Sequence, residues 1–460
     1  MNRRQFLQRS MIAGAAVLAG SAAFATGHRL TMPPLLDTRS SGRMNLTAQA
    51  GTTSFIGDVA SRTAGFNQAF LGPTVVLQNG PLAARVENTL AEPISAHWHG
   101  LLVPGVHDGG PHLPVATGAT WEPDMQIAQS PATIWYHSHI HGKTAPQVYA
   151  GLAGLIHLTD GRDDERGLPN TYGIDDLSLV IQDRRFDDGG RMVYDPTMMD
   201  LMHGFGGNRM MVNGQVGATA AVPAGITRLR LLNGSNGRIY TLHLSDDRPM
   251  HLIATDGGFL TAPITVQSLR LAPGERVEVL VDFSDGEAPA LMSEPSRPFT
   301  VLPFAIDTSL SARIDRLPDV LDGVPLDLVG PAAKTRTVLL EMGMGGGMRG
   351  RREFSINGRP FAMDHLNFRV SLGDVERWTI RGAMVAHPFH VHGVVFRVLS
   401  ENGAAPRPEN MGWKDTVLVA GEAEIIARFD QPAAPETPYM FHCHILEHED
   451  AGMMGQFSVT

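Results

Sequence analysis

Short apolar runs, separated by turn residues, recur along the chain from Leu46 onward. In several of them polar and apolar positions alternate with a period of two, which is typical of a half-buried β-strand. No stretch shows a long helical period. The pattern therefore predicts β-sandwich structure throughout. The most regular of these runs lie at 75–77, 84–88, 228–234, 276–282 and 424–429.

Two segments interrupt this pattern, at 159–175 and at about 307–334, and both are rich in charged residues, glycine or proline. A chain of 460 residues is long enough for more than one domain. We therefore predict three β-sandwich units, at 44–160, 175–306 and 335–460. The first and third units contain clusters of histidine, and the second contains almost none.

The overall composition narrows the class of protein. Gly (50) and Pro (31) are abundant, and 43% of the residues are hydrophobic, which suits an all-β chain with many turns and large cores. The formal net charge is −10. Because nucleic-acid binding asks for basic patches, this acidic balance argues against a nucleic-acid partner.

The first 25 residues resemble a bacterial export signal. Arg3 and Arg4 lie in a twin-arginine-like motif, which is followed by an apolar run at 11–19 and by small residues at 23–25. The apolar run is shorter than the roughly 20 residues that span a bilayer. We therefore predict a cleaved signal peptide at 1–25, export by the twin-arginine route and a periplasmic protein that is not membrane-bound. Cleavage removes three arginines and no acidic residue, which changes the charge from −10 to −13.

The chain has one cysteine, Cys443, so it has no internal disulfide. His448 follows it by five residues and Met453 by ten. A thiolate, an imidazole and a thioether are three of the four ligands of a blue-copper electron-transfer site. A second imidazole, from the histidine-rich run that begins at His387, would complete it. This spacing predicts one-electron chemistry on copper.

Eight of the 19 histidines form four separate His-x-His pairs, and His141 follows one of these pairs by two residues. Side chains two residues apart on a strand point the same way, so each pair would offer two imidazoles to one side. Eight imidazoles are too many for one ion and imply about two or three metals. Zinc also suits imidazoles, but it does not explain the spacing of Cys443, His448 and Met453. The pairs are His97 and His99, His137 and His139, His390 and His392, and His442 and His444.

Together these runs resemble the four signatures of the multicopper oxidases, in the right order. The runs are 97–100, 135–139, 387–393 and 442–448. The likeness is to bacterial periplasmic copper-efflux oxidases and laccase-like enzymes. The resemblance implies three cupredoxin-like Greek-key β-sandwich domains and four copper ions, one of type 1, one of type 2 and two of type 3.

The resemblance also assigns each of twelve side chains to a copper. The type 1 ligands would be His387, Cys443, His448 and Met453. The type 2 ligands would be His97 and His390. The type 3 ligands would be His99, His137, His139, His392, His442 and His444. His141 matches no ligand position of the family.

Two acidic residues match positions that the family uses to relay protons. Asp108 follows His97 by eleven residues, and Glu449 directly follows His448. By residue type alone, Asp108 also suits a turn, and Glu449 suits an acceptor that orients a ligand histidine. Asp415 lies in another family-like motif, but we expect it to be a structural turn residue.

The implied activity is one-electron oxidation of a small reductant coupled to four-electron reduction of dioxygen to water. The reductant would be a phenol or a metal ion such as Cu(I), and the protein is expected to be a monomer. A copper nitrite reductase is a weaker alternative, because it lacks the four histidine pairs. A non-enzymatic copper-binding or cell-division scaffold protein of the same fold is a second alternative, although such relatives have lost the ligands that this chain retains.

Overall fold

The computed structural model describes residues 28–294, 296–326, 330–343, 354–382 and 384–460. The predicted signal peptide lies outside these ranges. The described residues form 33 β-strands and three short α-helices. The prediction of an all-β fold built from sandwiched sheets is confirmed.

Two five-stranded sheets form the first unit. One sheet has the order β1 (Leu35–Asp37), β4 (Thr74–Gln78), β10 (Ala153–Thr159), β9 (Ala132–His137) and β6 (His97–His99). The other has the order β3 (Ala60–Phe66), β2 (Arg43–Ser54), β5 (Gly80–Asn88) and β7 (Thr120–Trp121), with β8 (Asp124–Ile127) also paired to β5. Helix α1 (Thr144–Ala150) connects β9 to β10.

A seven-stranded and a five-stranded sheet form the second unit. The larger has the order β12 (Met192–Val193), β11 (Asp176–Phe186), β15 (Ile226–Asn233), β20 (Arg276–Asp282), β17 (Met250–Thr255) and β18 (Gly258–Val266), with β13 (Arg209–Val212) paired to β11. The smaller has the order β14 (Ala220–Val222), β22 (Phe299–Ile306), β21 (Ala290–Ser293), β16 (Tyr240–Leu244) and β19 (Leu269–Leu271). Helix α2 (Met198–His203) begins after a capping box formed by Thr197 and Asp200, which satisfies two backbone donors at its start.

A six-stranded and a five-stranded sheet form the third unit. The larger has the order β24 (Phe354–Ile356), β23 (Lys334–Met342), β26 (Val375–Gly382), β31 (Glu422–Arg428), β28 (Phe396–Glu401) and β29 (Trp413–Lys414). The smaller has the order β25 (Phe368–Val370), β33 (Met454–Val459), β32 (Tyr439–Cys443), β27 (His387–Val391) and β30 (Thr416–Val419). Helix α3 (Leu446–Asp450) connects β32 to β33.

The two segments that break the sequence pattern lie between strands of different units. No strand or α-helix occurs at 160–175, nor in the described part of 307–333. Strand β1 lies ahead of residue 44 and pairs with β4. The predicted domain limits stay a prediction.

Each unit has its own apolar core, and a fourth apolar cluster lies between units. This fourth cluster includes Phe70 and Trp135 of the first unit, Phe186 and Leu232 of the second, and Leu446 on α3 of the third. Burial of apolar surface stabilises by roughly 25 cal/mol per Å². The shared cluster therefore stabilises the contact between the units as well as each fold.

A buried ionic network also joins the first and second units. Glu278 on β20 accepts hydrogen bonds from Arg228 Nε (2.7 Å), Arg230 Nη1 (3.1 Å) and Thr133 Oγ1 (2.7 Å). Burial raises the pKa of Glu278, but the two guanidinium groups outweigh it and bring the pKa to about 2. The carboxylate therefore remains ionised across the neutral and mildly acidic range.

Among the described residues, none of the helices has the length and apolar character needed to cross a bilayer.

Replacing Glu278 by Gln should lower the free energy of unfolding at neutral pH by about 3–5 kcal/mol, because two buried guanidinium groups lose their counter-charge. The lowered pKa means that this stabilisation is present above the unfolded pKa near 4.5. It should disappear as the pH falls toward the folded value of about 2. Thermal unfolding of parent and variant across this pH range measures the effect.

Glu122→Gln is the matched control, because Glu122 pairs with Arg85 while 63% of its side chain is exposed. We expect this variant to remain within about 0.5 kcal/mol of the parent. A Glu278→Gln protein as stable as the parent at neutral pH would contradict the proposed contribution of the network.

Candidate metal centre

The eight histidines of the four pairs converge into one buried cluster where the first and third units meet. Each of these side chains is at most 1% exposed. His97 and His99 both lie on β6, whereas β9, β27 and β32 each end within or just before their pair. The expectation of a strand geometry thus holds fully only for the first pair. Even so, the two rings of each pair remain 4.9–5.8 Å apart.

Strand register brings the pairs of one unit together, and ring stacking brings the units together. In the first unit, His97 on β6 is paired in register with His137 on β9. In the third unit, His390 on β27 is paired with His442 on β32. Between the units, His97 stacks on a ring of the third unit, His392, at a centroid distance of 3.8 Å.

The rings can be grouped into three sets that are not separate in space, because His97 stacks on His392 and His99 stacks on His390 at 3.8 and 3.6 Å. The Nε2 atom of His442 lies 3.2 Å from that of His139 and 3.3 Å from that of His392. The rings of His99, His137 and His444 lie 5.1–5.7 Å from one another. His97 and His390 form the last set, with ring centroids 5.8 Å apart. The resemblance assigns the first two sets to the type 3 coppers and the last to the type 2 copper, and this assignment stays a prediction.

Backbone carbonyls determine which ring nitrogen faces the centre of the cluster. The Nδ1 atoms of His97, His137 and His390 lie 2.8–2.9 Å from carbonyl oxygens. A carbonyl can only accept, so each Nδ1 must carry the proton and each Nε2 has a free lone pair. Among the described residues, these three buried Nε2 atoms have no hydrogen-bond partner. Buried lone pairs that face one another are the arrangement expected of metal ligands whose other nitrogen is held by an acceptor.

His99 has the opposite orientation. Its Nε2 lies 3.0 Å from Oδ1 of Asp415, and its Nδ1 has no hydrogen-bond partner within the described ranges. His99 would therefore bind a metal through Nδ1. In His444 both ring nitrogens lack a partner in the described part of the chain. The donor set thus fits metal ions bound by neutral imidazoles.

The protonation states agree with this fit. For six of the cluster imidazoles, burial lowers the pKa below the ordinary value, and neighbouring imidazoles lower it further. Neutral imidazole is the form that binds a metal. The histidines concerned are His99, His137, His139, His390, His392 and His444.

A second group of ligands surrounds Cys443 in the third unit. The Nδ1 atoms of His387 and His448 lie 3.4 and 3.5 Å from its Sγ, and all three side chains are fully buried. Burial raises the pKa of the Cys443 thiol and lowers that of His448 to about 3. Met453 is also fully buried in the same apolar cluster, and its carbonyl accepts from the backbone N–H of Cys443 at 3.1 Å. This set combines a soft sulfur with two imidazoles.

Apolar groups and one helix of the second unit shield the Cys443 site. The ring of Phe354 stacks on that of His448 at 4.7 Å. The carbonyl of Met202 on α2 lies 3.4 Å from His448 Nε2. Met198 and Met199, on the same helix, are more than half exposed. The helix therefore lies between the Cys443 site and solvent.

The two metal-ligand groups are covalently connected. Cys443 is bonded in sequence to His442 and to His444, which belong to different sets of the histidine cluster. Two short covalent paths of this chain's own atoms thus lead from the thiol to that cluster.

The structure brings both predicted acidic residues to the histidine cluster. Asp108 Oδ2 lies 2.8 Å from Nδ1 of His392 and 3.4 Å from Nδ1 of His97. Glu449 Oε1 and Oε2 lie 3.3 Å from Nδ1 of His139 and 3.2 Å from Nδ1 of His442. Both carboxylates are 1% exposed, so each is buried against two histidines of the cluster.

Asp415 lies at a bend between β29 and β30, as its expected turn position requires, but the sequence did not predict its contacts. Asp415 is fully buried directly before β30, and it bonds both to His99 and to the guanidinium of Arg276. Burial raises its pKa, but Arg276 outweighs burial and holds the pKa well below the ordinary value. Arg276 comes from the second unit, which sequence analysis left without a part in the site. The only signal in the sequence was that Asp415 lies in a family-like motif, at 412–417. This motif does not indicate which residues Asp415 contacts.

Copper should bind to the metal-free protein and raise its melting temperature, because a ligand bound only by the folded state stabilises it. His137→Gln should take up less copper than the parent, since it removes an unpartnered lone pair from the cluster. Metal analysis and thermal unfolding after dialysis measure both effects. His251→Gln, which changes a histidine bonded to Thr265 outside the cluster, should load like the parent. Equal copper content in His137→Gln and the parent would contradict the assignment.

Comparison with known proteins agrees with this geometry. Profiles described as multicopper oxidase match residues 47–163, 178–290 and 334–460. The chain is 37% identical to the cell division protein FtsP of Dickeya dadantii, over 99% of this chain and 98% of the relative.

Solved structures with the same fold include oxidases. A laccase-like multicopper oxidase, CueO from a lignin-degrading Ochrobactrum sp., is 45% identical with a TM-score of 0.89, covering 94% of this chain and all of that one. McoA multicopper oxidase from Aquifex aeolicus is 32% identical with a TM-score of 0.83, covering 95% of this chain and all of that one. Because the profiles cover most of the chain and these relatives align over nearly its whole length, the chain belongs to the multicopper oxidase family.

Proposed function

We propose that this protein is a copper-dependent oxidase that couples one-electron oxidation of a small reductant to reduction of dioxygen to water. The observation that carries the proposal is the convergence of a complete donor set. Eight imidazoles meet at one seam, and a thiol flanked by two further imidazoles lies one covalent step away. Buried ring nitrogens without a partner cost desolvation free energy, and binding of metal ions by these lone pairs would offset that cost.

The proposed ligands are those that the family resemblance implies. His387, Cys443, His448 and Met453 would hold the type 1 copper, and the eight clustered imidazoles would hold one type 2 and two type 3 coppers. Copper in these sites would supply the four one-electron steps that dioxygen needs to become two waters. We propose the same three cupredoxin-like domains, with limits at 44–160, 175–306 and 335–460.

The chain's own contribution is orientation, insulation and connection. Carbonyl acceptors hold His97, His137 and His390 in one tautomer, so little rearrangement of these rings is needed for binding. Full burial excludes bulk water from the cluster, which strengthens every electrostatic contact there. Cys443 connects the reductant side to the dioxygen side through His442 and His444.

Reduction of one dioxygen consumes four electrons and four protons and yields two waters. Asp108, Glu449 and Asp415 are carboxylates that contact the histidine cluster, and we propose that Asp108 and Glu449 hold protons there for transfer. Their contacts divide the cluster, since Asp108 lies against His97 and His392 and Glu449 lies against His139 and His442.

The proposed reductant is a phenol. Each phenol would lose one electron and one proton to give a phenoxyl radical, so four phenols balance one dioxygen. The Ochrobactrum relative is described as having oxidase activity towards lignin model compounds and lignosulfonate, which supports this class. The exposed thioethers of Met198 and Met199 near the Cys443 site favour cuprous ion as a second reductant, because thioethers prefer Cu(I).

A second candidate function is a non-enzymatic role in cell division. It is favoured by curated relatives at 37–38% identity that are named cell division protein FtsP. Both candidates are compatible with the proposed periplasmic location and export through the twin-arginine route. They differ in whether the copper-loaded protein consumes oxygen.

Oxygen uptake separates the two candidates. The copper-loaded protein should consume dioxygen with a dimethoxyphenol or with Cu(I), in the ratio of one dioxygen to four electrons. Cys443→Ser should abolish uptake and the intense visible absorption of a copper–thiolate bond, while most of the other copper is retained. No uptake by the parent with either donor would favour the non-enzymatic role. An unchanged visible spectrum in Cys443→Ser would contradict the type 1 assignment.

Glu449→Gln should lower the steady-state rate of oxygen consumption by roughly 100-fold, because a positioned proton donor typically contributes 10²–10⁴-fold. The amide keeps the shape of the side chain but cannot deliver a proton. The visible absorption should remain, since Glu449 contacts the rings of His139 and His442, which are not proposed ligands of the type 1 copper. Glu122→Gln, a change at an exposed carboxylate, should keep the parent rate. A Glu449→Gln rate equal to that of the parent would remove this residue from the proton path.

A further inference from the structure

We propose that Arg276 of the second unit is a positioning residue for the histidine cluster and acts on His99 and His390 through Asp415. This inference rests on the proposed function for its copper readout. It gives a role at the metal centre to the one unit that supplies no proposed ligand.

Two hydrogen bonds join the side chains of Arg276 and Asp415. Arg276 is the first residue of β20, and its side chain is fully buried. Its Nη1 and Nη2 donate to Oδ1 and Oδ2 of Asp415 at 2.8 and 2.5 Å. Such a two-point fork fixes the plane of the carboxylate as well as its position. The Nε–H also donates to the carbonyl of Thr133 in the first unit, at 3.1 Å.

Asp415 in turn contacts two imidazoles from different units. Its Oδ1 accepts from Nε2 of His99 at 3.0 Å, and its carbonyl accepts from Nδ1 of His390 at 2.8 Å. These two rings stack at 3.6 Å. A carboxylate held by a guanidinium can only accept, so His99 must carry its proton on Nε2 and present Nδ1 to a metal. One aspartate thus sets the binding nitrogen of both rings.

The backbone at Gly100 and Gly274 leaves space for this arrangement. Gly100, which directly follows His99, has φ of +91°, and a Cβ there would lie 2.7 Å from both Arg276 Nη2 and Asp415 Oδ2. Gly274 has φ of +85°, and a Cβ there would lie 2.8 Å from the His444 ring. Its carbonyl accepts from Arg276 Nη1 at 3.0 Å. Two glycines therefore permit the second unit to approach the cluster directly.

Arg276 also belongs to a larger group of buried charged side chains. Asp256 Oδ1 accepts from the backbone N–H of Arg276 at 2.7 Å, and its Oδ2 lies 3.0 Å from Lys414 Nζ. Lys414 Nζ also lies 3.2 Å from Glu275. Cations and carboxylates thus alternate through the interface of the second and third units. If the Arg276 side chain rotated away from Asp415, the buried carboxylate of Asp415 would lose its counter-charge.

If Arg276 only stabilised the fold, replacing it should have the same effect as replacing any other residue of a buried ion pair. Arg228 and Glu278 supply that comparison, because they are equally buried on neighbouring strands of the same sheet. Among the described residues, neither forms a hydrogen bond with a proposed ligand. Arg228→Gln is therefore the matched control for loss of stability without loss of positioning.

The test compares Arg276→Lys, Arg276→Gln and Asp415→Asn with the parent and with Arg228→Gln. In metal-free protein, nitrogen NMR of labelled histidine, assigned with a His99→Gln variant, should show His99 protonated on Nε2 in the parent and in Arg228→Gln. In the Arg276 and Asp415 variants this tautomer should be mixed. In copper-loaded protein, these variants should bind the non-blue copper about 10- to 100-fold more weakly. Their absorption from the Cys443 site should remain.

Each outcome decides the inference. Unchanged His99 tautomer and unchanged copper retention in Arg276→Lys and Asp415→Asn would overturn it, as would equal copper loss in Arg228→Gln. If Arg276→Gln does not fold, Arg276→Lys decides in its place, because it keeps the charge and loses the fork. If the parent consumes no oxygen, the proposed function fails, and the tautomer in the metal-free protein still tests the positioning role.

Discussion

The whole site depends on a single constraint: buried imidazoles from two separate β-sandwiches must face one another with free lone pairs. Stacking of His97 on His392 and of His99 on His390, at 3.8 and 3.6 Å, brings the first and third units into contact through these rings. Such an arrangement has no apolar driving force of its own. Each unpartnered ring nitrogen that is removed from water costs desolvation free energy, which the surrounding cores must offset.

The hydrogen bonds around the imidazoles explain how this costly arrangement is maintained. Acceptors hold the ring atom that faces away from the centre, through the carbonyls of Ser138 and Cys443 and the carboxylate of Asp108, for example. Each such bond fixes both the tautomer and the orientation of its ring. The metal-binding geometry is thus prepared by the protein before any ligand is present, and the apolar clusters on either side prevent the seam from opening.

The second unit contributes to the site, although its sequence, which contains almost no clustered histidine, did not indicate this. It contributes no proposed ligand, yet Arg276 fixes Asp415, the carbonyl of Met202 contacts His448, and Leu232 packs in the apolar cluster shared by all three units. The relatives are consistent with a fold that serves more than one purpose, since they include laccase-like oxidases and proteins named for cell division. Donor chemistry, more than the fold itself, favours the oxidase here.

The sequence by itself determined the strand pattern, the donor residue types and their spacing, because these are local properties. The alternation at 276–282 predicted β20, and the spacing of Cys443, His448 and Met453 indicated soft metal ligands. The tertiary structure alone decided which ring nitrogen His97, His99, His137 and His390 present, and that Asp415 is a buried partner of Arg276. Residues 139 positions apart meet there. Their contact depends on how two separately folded sandwiches dock, which local periodicity does not encode.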